Sequence, residues 1–241
     1  MKIKFFGVTF WFNVFDDHND ILSLLQKNFE DEYKNFNINN SSNNLLEPVI
    51  VTTNSDKKTN LAMSKINLQY TAENCLFSNF SEFKEKCLMI FNILSEYGIK
   101  VLHSSVCING EIITDDALLK SINKTLSKDL INEDIVDVNL KISKKEEDLF
   151  YKIISIFNKK QIKLPKINDE LGRNIPLPLI SWNGALTECE MIDISYELND
   201  KYSFDFTKNY QTTEFHLNKM LYLLENNFKT DLDEILEDVE F

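Results

Sequence analysis

The hydrophobic and polar positions of this chain follow two periods, and the changes from one to the other mark its elements. From Met191 to Leu198 the period is two: Ile192, Ile194, Tyr196 and Leu198 point one way, Asp193, Ser195 and Glu197 the other. Asn199 and Asp200 supply a turn, after which Tyr202, Phe204 and Phe206 alternate against Ser203 and Asp205. This reads as strand, tight turn, strand. Phe215, Leu217, Met220, Leu221, Leu224 and Phe228 then recur at helical spacing. A two-stranded ribbon is marginal alone, so this helix is expected to cover its apolar face. A short further helix is expected from Thr230 onward.

The same patterns run upstream. Residues 2–15 read as a long strand rich in Phe, Val and Trp11. Asn19 or Asp20 can cap a helix reaching about Phe36, with Ile21, Leu25, Phe29 and Tyr33 on one face. Residues 37–44 read as a polar loop, and 48–53 and 61–70 as two strands. A helix over 78–97 carries Phe83, Cys87, Ile90, Phe91 and Leu94 and stops at Gly98. Residues 99–108 form a strand, and Asn109-Gly110 is a hairpin signal with 111–113 returning. A short helix is expected over 115–127. Residues 135–142 and 149–157 read as antiparallel partners. Residues 159–178 hold three of the four Pro and read as irregular, and 179–190 as a strand region broken at Asn183-Gly184.

Short turns join most strands, so antiparallel pairing dominates. The predicted class is α+β: mainly antiparallel sheet, helices packed on one face, and a C-terminal helix closing the core. The chain reads as a single domain over 1–241, with a two-lobed arrangement over 1–131 and 132–241 as the alternative. The halves resemble each other only as strands ending in a helix, and no residue-level repeat is visible.

Composition narrows the function. A net charge of −12 argues against general binding to nucleic-acid phosphate and against docking on anionic lipid. It fits solubility or a basic partner. Cys75, Cys87, Cys107 and Cys189 lack metal-site or C-x-x-C spacing and read as free thiols. With no long apolar segment and no leader-like start, the expected location is cytoplasmic.

Few residues suggest chemistry. Asp16, Asp17 and His18, with Asp20 nearby, have the donor types to hold a divalent metal; the plainer reading is a solvated turn and helix cap. Glu188 and Glu190 share a strand face and read as exposed polar positions. Arg173, the only Arg in the chain, sits on a Pro-flanked loop and is a candidate anion clamp. Trp182 and His216 complete the candidate binding residues, His216 also reading as a half-buried helix residue. His103 lies in an apolar strand without an evident partner. With no nucleophile, phosphate-loop or metalloprotease motif and only five Gly, no catalytic residue and no cofactor are predicted.

Several short pieces carry a family resemblance: residues 66–70, Phe80-Ser81-Glu82-Phe83, Gly98-Ile99, and Ile108-Asn109-Gly110-Glu111-Ile112. Met191-Ile192-Asp193-Ile194, His216 and Phe228-Lys229-Thr230-Asp231 extend it to the C-terminal end. Together they resemble an uncharacterised, sporadically distributed bacterial family of about this length. The chain departs from that pattern in lacking a proline-led N-terminal segment and in ending a strand as Val106-Cys107-Ile108-Asn109. The resemblance implies no activity; its sporadic distribution implies a mobile-element or phage-defence setting. The expected function is therefore a non-enzymatic interaction protein, chaperone-like or adaptor, with a protein partner or a homo-oligomeric state. The alternative is a metal-dependent hydrolase or nuclease using Asp16, Asp17 and His18.

Overall fold

In the computed structural model of the chain, residues 2–16, 18–39, 44–114, 139–147, 149–163 and 187–236 are described. Their strands form one antiparallel sheet of nine, in the order β2-β3-β4-β5-β1-β6-β9-β8-β7. The strands are β1 (Lys2–Phe12), β2 (Asn37–Ile38), β3 (Ile50–Asn54), β4 (Thr59–Met63), β5 (Asn67–Glu73), β6 (Val101–Thr114), β7 (Asn139–Glu146), β8 (Phe150–Lys163) and β9 (Thr187–Asn199). The helices are α1 (His18–Asn28), α2 (Phe80–Glu96), α3 (Lys201–Phe206) and α4 (Glu214–Leu236). A single 3-10 turn, Phe77–Asn79, leads into α2. The α+β class, the antiparallel sheet and the closing C-terminal helix are as the sequence predicts.

Alternation decides which face is covered. Phe6, Val8 and Phe10 of β1, Val106 and Ile108 of β6, Ile154 and Ile156 of β8, and Ile192, Ile194, Tyr196 and Leu198 of β9 are all buried. They pack with the apolar stripes of α1, α2 and α4, where Leu25, Phe83, Leu94, Leu217, Leu221 and Leu224 are also buried. A run of rings crosses this layer: Tyr70, Phe83, Phe80, Phe77, Phe228 and Tyr196 follow one another at centroid spacings of 5.6–6.0 Å.

The sheet repeats its own topology. In the first half, β1 leads to the meander β3-β4-β5, β5 returns to pair with β1, and α2 follows. In the second half, β6 leads to β7-β8-β9, β9 returns to pair with β6, and the chain closes on α4. Register makes the equivalence specific. Tyr70 faces Val8 and Leu61, while Tyr196 faces Ile108 and Ile154. The end of each meander carries the same hydrogen bond: Asn74 N–H donates to the Lys4 carbonyl at 2.6 Å, and Asp200 N–H to the Ser104 carbonyl at 3.2 Å. Each tyrosine hydroxyl reaches a carboxylate held by a lysine, Glu32 with Lys86 in one half and Asp231 with Lys152 in the other.

Several expected boundaries are corrected. Residues 202–206 are helix, not strand, because both edges of β9 are already taken by β6 and β8. No slot remains for a hairpin partner, and Phe206 is 71% exposed. Asn109-Gly110 is no turn: β6 runs through it, with Gly110 paired to Ile3 on one side and Ile194 on the other. Two-sided pairing keeps the backbone extended and overrides the local turn preference. The stretch 61–70 is divided into β4 and β5, with Ser64 Oγ accepting the backbone N–H groups of Ile66 and Asn67 in the turn between. β1 stops at Phe12 and α1 at Asn28, short of the expected ends. α4 continues without a break through Thr230 to Leu236, and Phe215 at its start is 67% exposed rather than core. Gly98 does stop α2, at φ 82°, with Ile99 N–H donating to the Leu94 carbonyl at 2.9 Å. β8 pairs with β7 as expected. β8 runs on through Lys163, so residues 159–163 of the expected irregular stretch 159–178 are strand, held in the sheet by pairing with β9. The rest of that stretch, the expected helix over 115–127 and residues 179–186 of the 179–190 strand region lie outside the described residues.

Candidate functional site

The two equivalent junctions between meander and closing helix are built differently. After β9 the connection is long and sealed by Asp200, which is fully buried. Its carboxylate accepts the Ser104 N–H at 2.6 Å, the Thr212 hydroxyl at 2.7 Å and the Tyr210 hydroxyl at 2.9 Å. Burial pushes this carboxyl above its ordinary range, against the opposing effect of the three donors. The α4 N-terminus is closed in the same region. Thr213 Oγ1 accepts the His216 N–H at 3.3 Å, and His216 Nδ1 accepts the Thr213 N–H at 3.2 Å, a reciprocal cap with His in the usual Glu position. His216 is thus structural and half-buried.

After β5 the connection is short, and the core stays open at its end. A groove of about 470 Å³ lies there, lined by Ile3, Cys75, Leu76, Phe77 and Phe228, with Lys2, Asn74 and Lys229 also facing it. Its size suits a ligand-scale site. Phe77 and Phe228 stack at 6.0 Å with their planes 12° apart, so the floor is a ring pair shared by the two halves. Leu76 stands 72% exposed at the lip. The lip is held in shape: Asn79 Oδ1 accepts the Leu76 N–H at 3.0 Å, and Asn74 takes a left-handed φ of 51°. The Lys229 ammonium lies 5.4 Å from the Phe77 ring centroid. Lys2 pairs with Glu111 at 3.2 Å while remaining largely exposed. Burial and nearby Glu82 push the Cys75 thiol above its ordinary value, so this thiol is held in its neutral form.

The Phe228 wall is fixed by a polar lock one turn further along α4. The Lys152 ammonium lies 2.9 Å from Asp231 and 2.8 Å from Glu146, and the Tyr196 hydroxyl donates to Asp231. Burial works against the charge on Lys152, but hydrogen bonds to Glu146 and Asp231 outweigh it and leave the ammonium more basic than usual.

Of the residues singled out from sequence, Asp16, His18 and His216 do not line the groove. His18 begins α1; its Nδ1 lies 3.0 Å from the Asp16 carbonyl, which can only accept, so Nδ1 carries the proton. Its Nε2 is buried with no hydrogen-bond partner among the described residues. Asp16 is paired with Lys65 at 3.1 Å. Asp17, Arg173 and Trp182 lie outside the described residues. Among the described residues no three His, Cys, Asp or Glu are grouped to hold a metal ion. Among them, too, no helix is long and apolar enough to cross a membrane.

Sequence reasoning missed the groove. Cys75-Leu76-Phe77, an apolar run just before a helix start, was a usable signal, but nothing in the sequence pairs it with Phe228, whose ring meets Phe77 only in the fold. No family model and no curated protein matches the chain.

Proposed function

We propose that the protein is a non-enzymatic interaction protein, an adaptor whose groove at Leu76, Phe77 and Phe228 receives an apolar side chain of a protein partner. One observation carries this reading: of two topologically equivalent junctions, one is sealed by Asp200 and its donors, while the other leaves a ring pair and an exposed Leu at a ligand-sized groove. Leu76 and half-buried Phe77 supply the exposed apolar surface, with Phe228 buried behind them, and exposed apolar surface at a groove marks an interaction site. A chaperone-like role, and the mobile-element or phage-defence setting implied by the family resemblance, belong to the same proposal. So does a cytoplasmic location, which the free thiols of Cys75, Cys87 and Cys107 support.

The test is selection from a random-peptide display library on the wild-type protein, with counter-selection on Leu76→Asp. Peptides sharing an apolar anchor, and losing affinity for Leu76→Asp, are expected. Selection that yields no peptide sensitive to Leu76→Asp ends the docking reading.

A further inference from the structure

We infer that the groove recognises an acidic peptide segment, one in which carboxylates flank the apolar anchor. This rests on the docking reading above. The chain carries 38 acidic residues against 26 basic ones, yet among the described residues two Lys and no acidic residue line the groove. Lys229 has no salt bridge among the described residues, and its ammonium sits over the face of Phe77, against the apolar floor. A carboxylate arriving beside an apolar side chain would meet that exposed cation at the edge of the apolar floor, a pairing that is modest and sensitive to salt. Lys2 also borders the groove, but its ammonium is paired with Glu111, a side chain only 13% exposed that holds Lys4 as well, so Lys229 is the cation the groove offers. Lys4, two residues further along β1, is likewise held, by Glu111 and Asp193.

The closing experiment uses the peptides selected on the wild-type protein and counter-selected on Leu76→Asp. Each is compared, by titration calorimetry, with its own analogue carrying Asn and Gln in place of Asp and Glu. The analogue is expected to bind about two- to fivefold more weakly, a loss typical of removing an exposed charge pair. The gap should narrow as salt is added. Lys229→Gln, an exposed substitution, should reproduce the loss for the acidic peptide, whereas Lys208→Gln, also exposed and outside the groove lining, should not. Selected peptides without acidic residues, or amide analogues that bind equally well, overturn the inference while leaving apolar docking intact. Self-association of the protein that Leu76→Asp abolishes would assign the groove to a second copy and overturn it as well. Absence of any Leu76-dependent peptide removes the docking reading itself, and the inference with it.

Discussion

Gly7 and Cys107 face each other across β1 and β6, at the point about which the two halves of the sheet repeat. A Cβ on Gly7 would lie 2.9 Å from Cys107 Sγ. Burial raises the Cys107 thiol to about 12, so it remains a neutral, space-filling group. Gly7→Ala should therefore cost about 1–3 kcal/mol through overpacking. Cys107→Ala should recover much of that loss in the double variant. Urea unfolding of the four proteins of this cycle checks it; additive losses would mean that the two positions do not compete for the same space.

The Lys152–Asp231 pair supports the second prediction. Removing one member of a buried pair strands the charge left behind. Lys152→Met leaves Glu146 and Asp231 facing each other beneath α4 and should destabilise the protein by about 3 kcal/mol, measured by chemical denaturation. The substitution should also weaken groove binding, because Asp231 sits on α4 just beyond Phe228 and Lys229. Unchanged stability would show that the lock does not hold α4.

Leu221 is fully buried in α4, as are Leu217 and Leu224. Leu221→Ala should cost roughly 2–5 kcal/mol. Thermal melts at several protein concentrations separate two roles for this stripe. A loss independent of concentration fits a lid that belongs to the core, whereas a loss that varies with concentration would place the stripe in an interface between copies.

Acid should destabilise the fold through two histidines. Burial lowers both His103 and His216 from their ordinary 6.5. The folded state therefore binds fewer protons than the unfolded state in this range. The associated stability is complete above pH 6.5 and declines as pH falls below it. His103 stacks on Trp11 at 5.6 Å and packs on Phe204 at 5.4 Å, so His103→Phe keeps a ring in place while removing the titration. The fall in melting temperature between neutral pH and pH about 5 should be smaller in that variant. An unchanged slope would exclude His103 from the acid response.

Much of the fold was legible in the sequence, and the physical reason is local. Alternation along 192–198 and helical spacing along 217–228 depend only on which side of one element is apolar, so β9 and the buried face of α4 could be read directly. Gly98 marked the end of α2 because only the backbone at that residue was at issue. The misreadings share a different cause. Asn109-Gly110 has turn chemistry, but β1 and β9 bind β6 on both sides and hold it straight. Residues 202–206 alternate like a strand, but β9 has no free edge to offer them. Strand number and edge occupancy are properties of the assembled sheet. The topological repeat was hidden for the same reason: its equivalences, such as Tyr70 with Tyr196, are positions in a register rather than similar residues. The groove belongs to this second class, since Phe77 and Phe228 are distant in sequence and become one surface only when α4 closes over the ring layer. The elements and the faces they bury were readable from residue order, because they follow from each residue's own polarity and its nearest neighbours. Which edges were filled and which junction stayed open emerged with the assembled fold, because both depend on contacts between segments far apart in the chain.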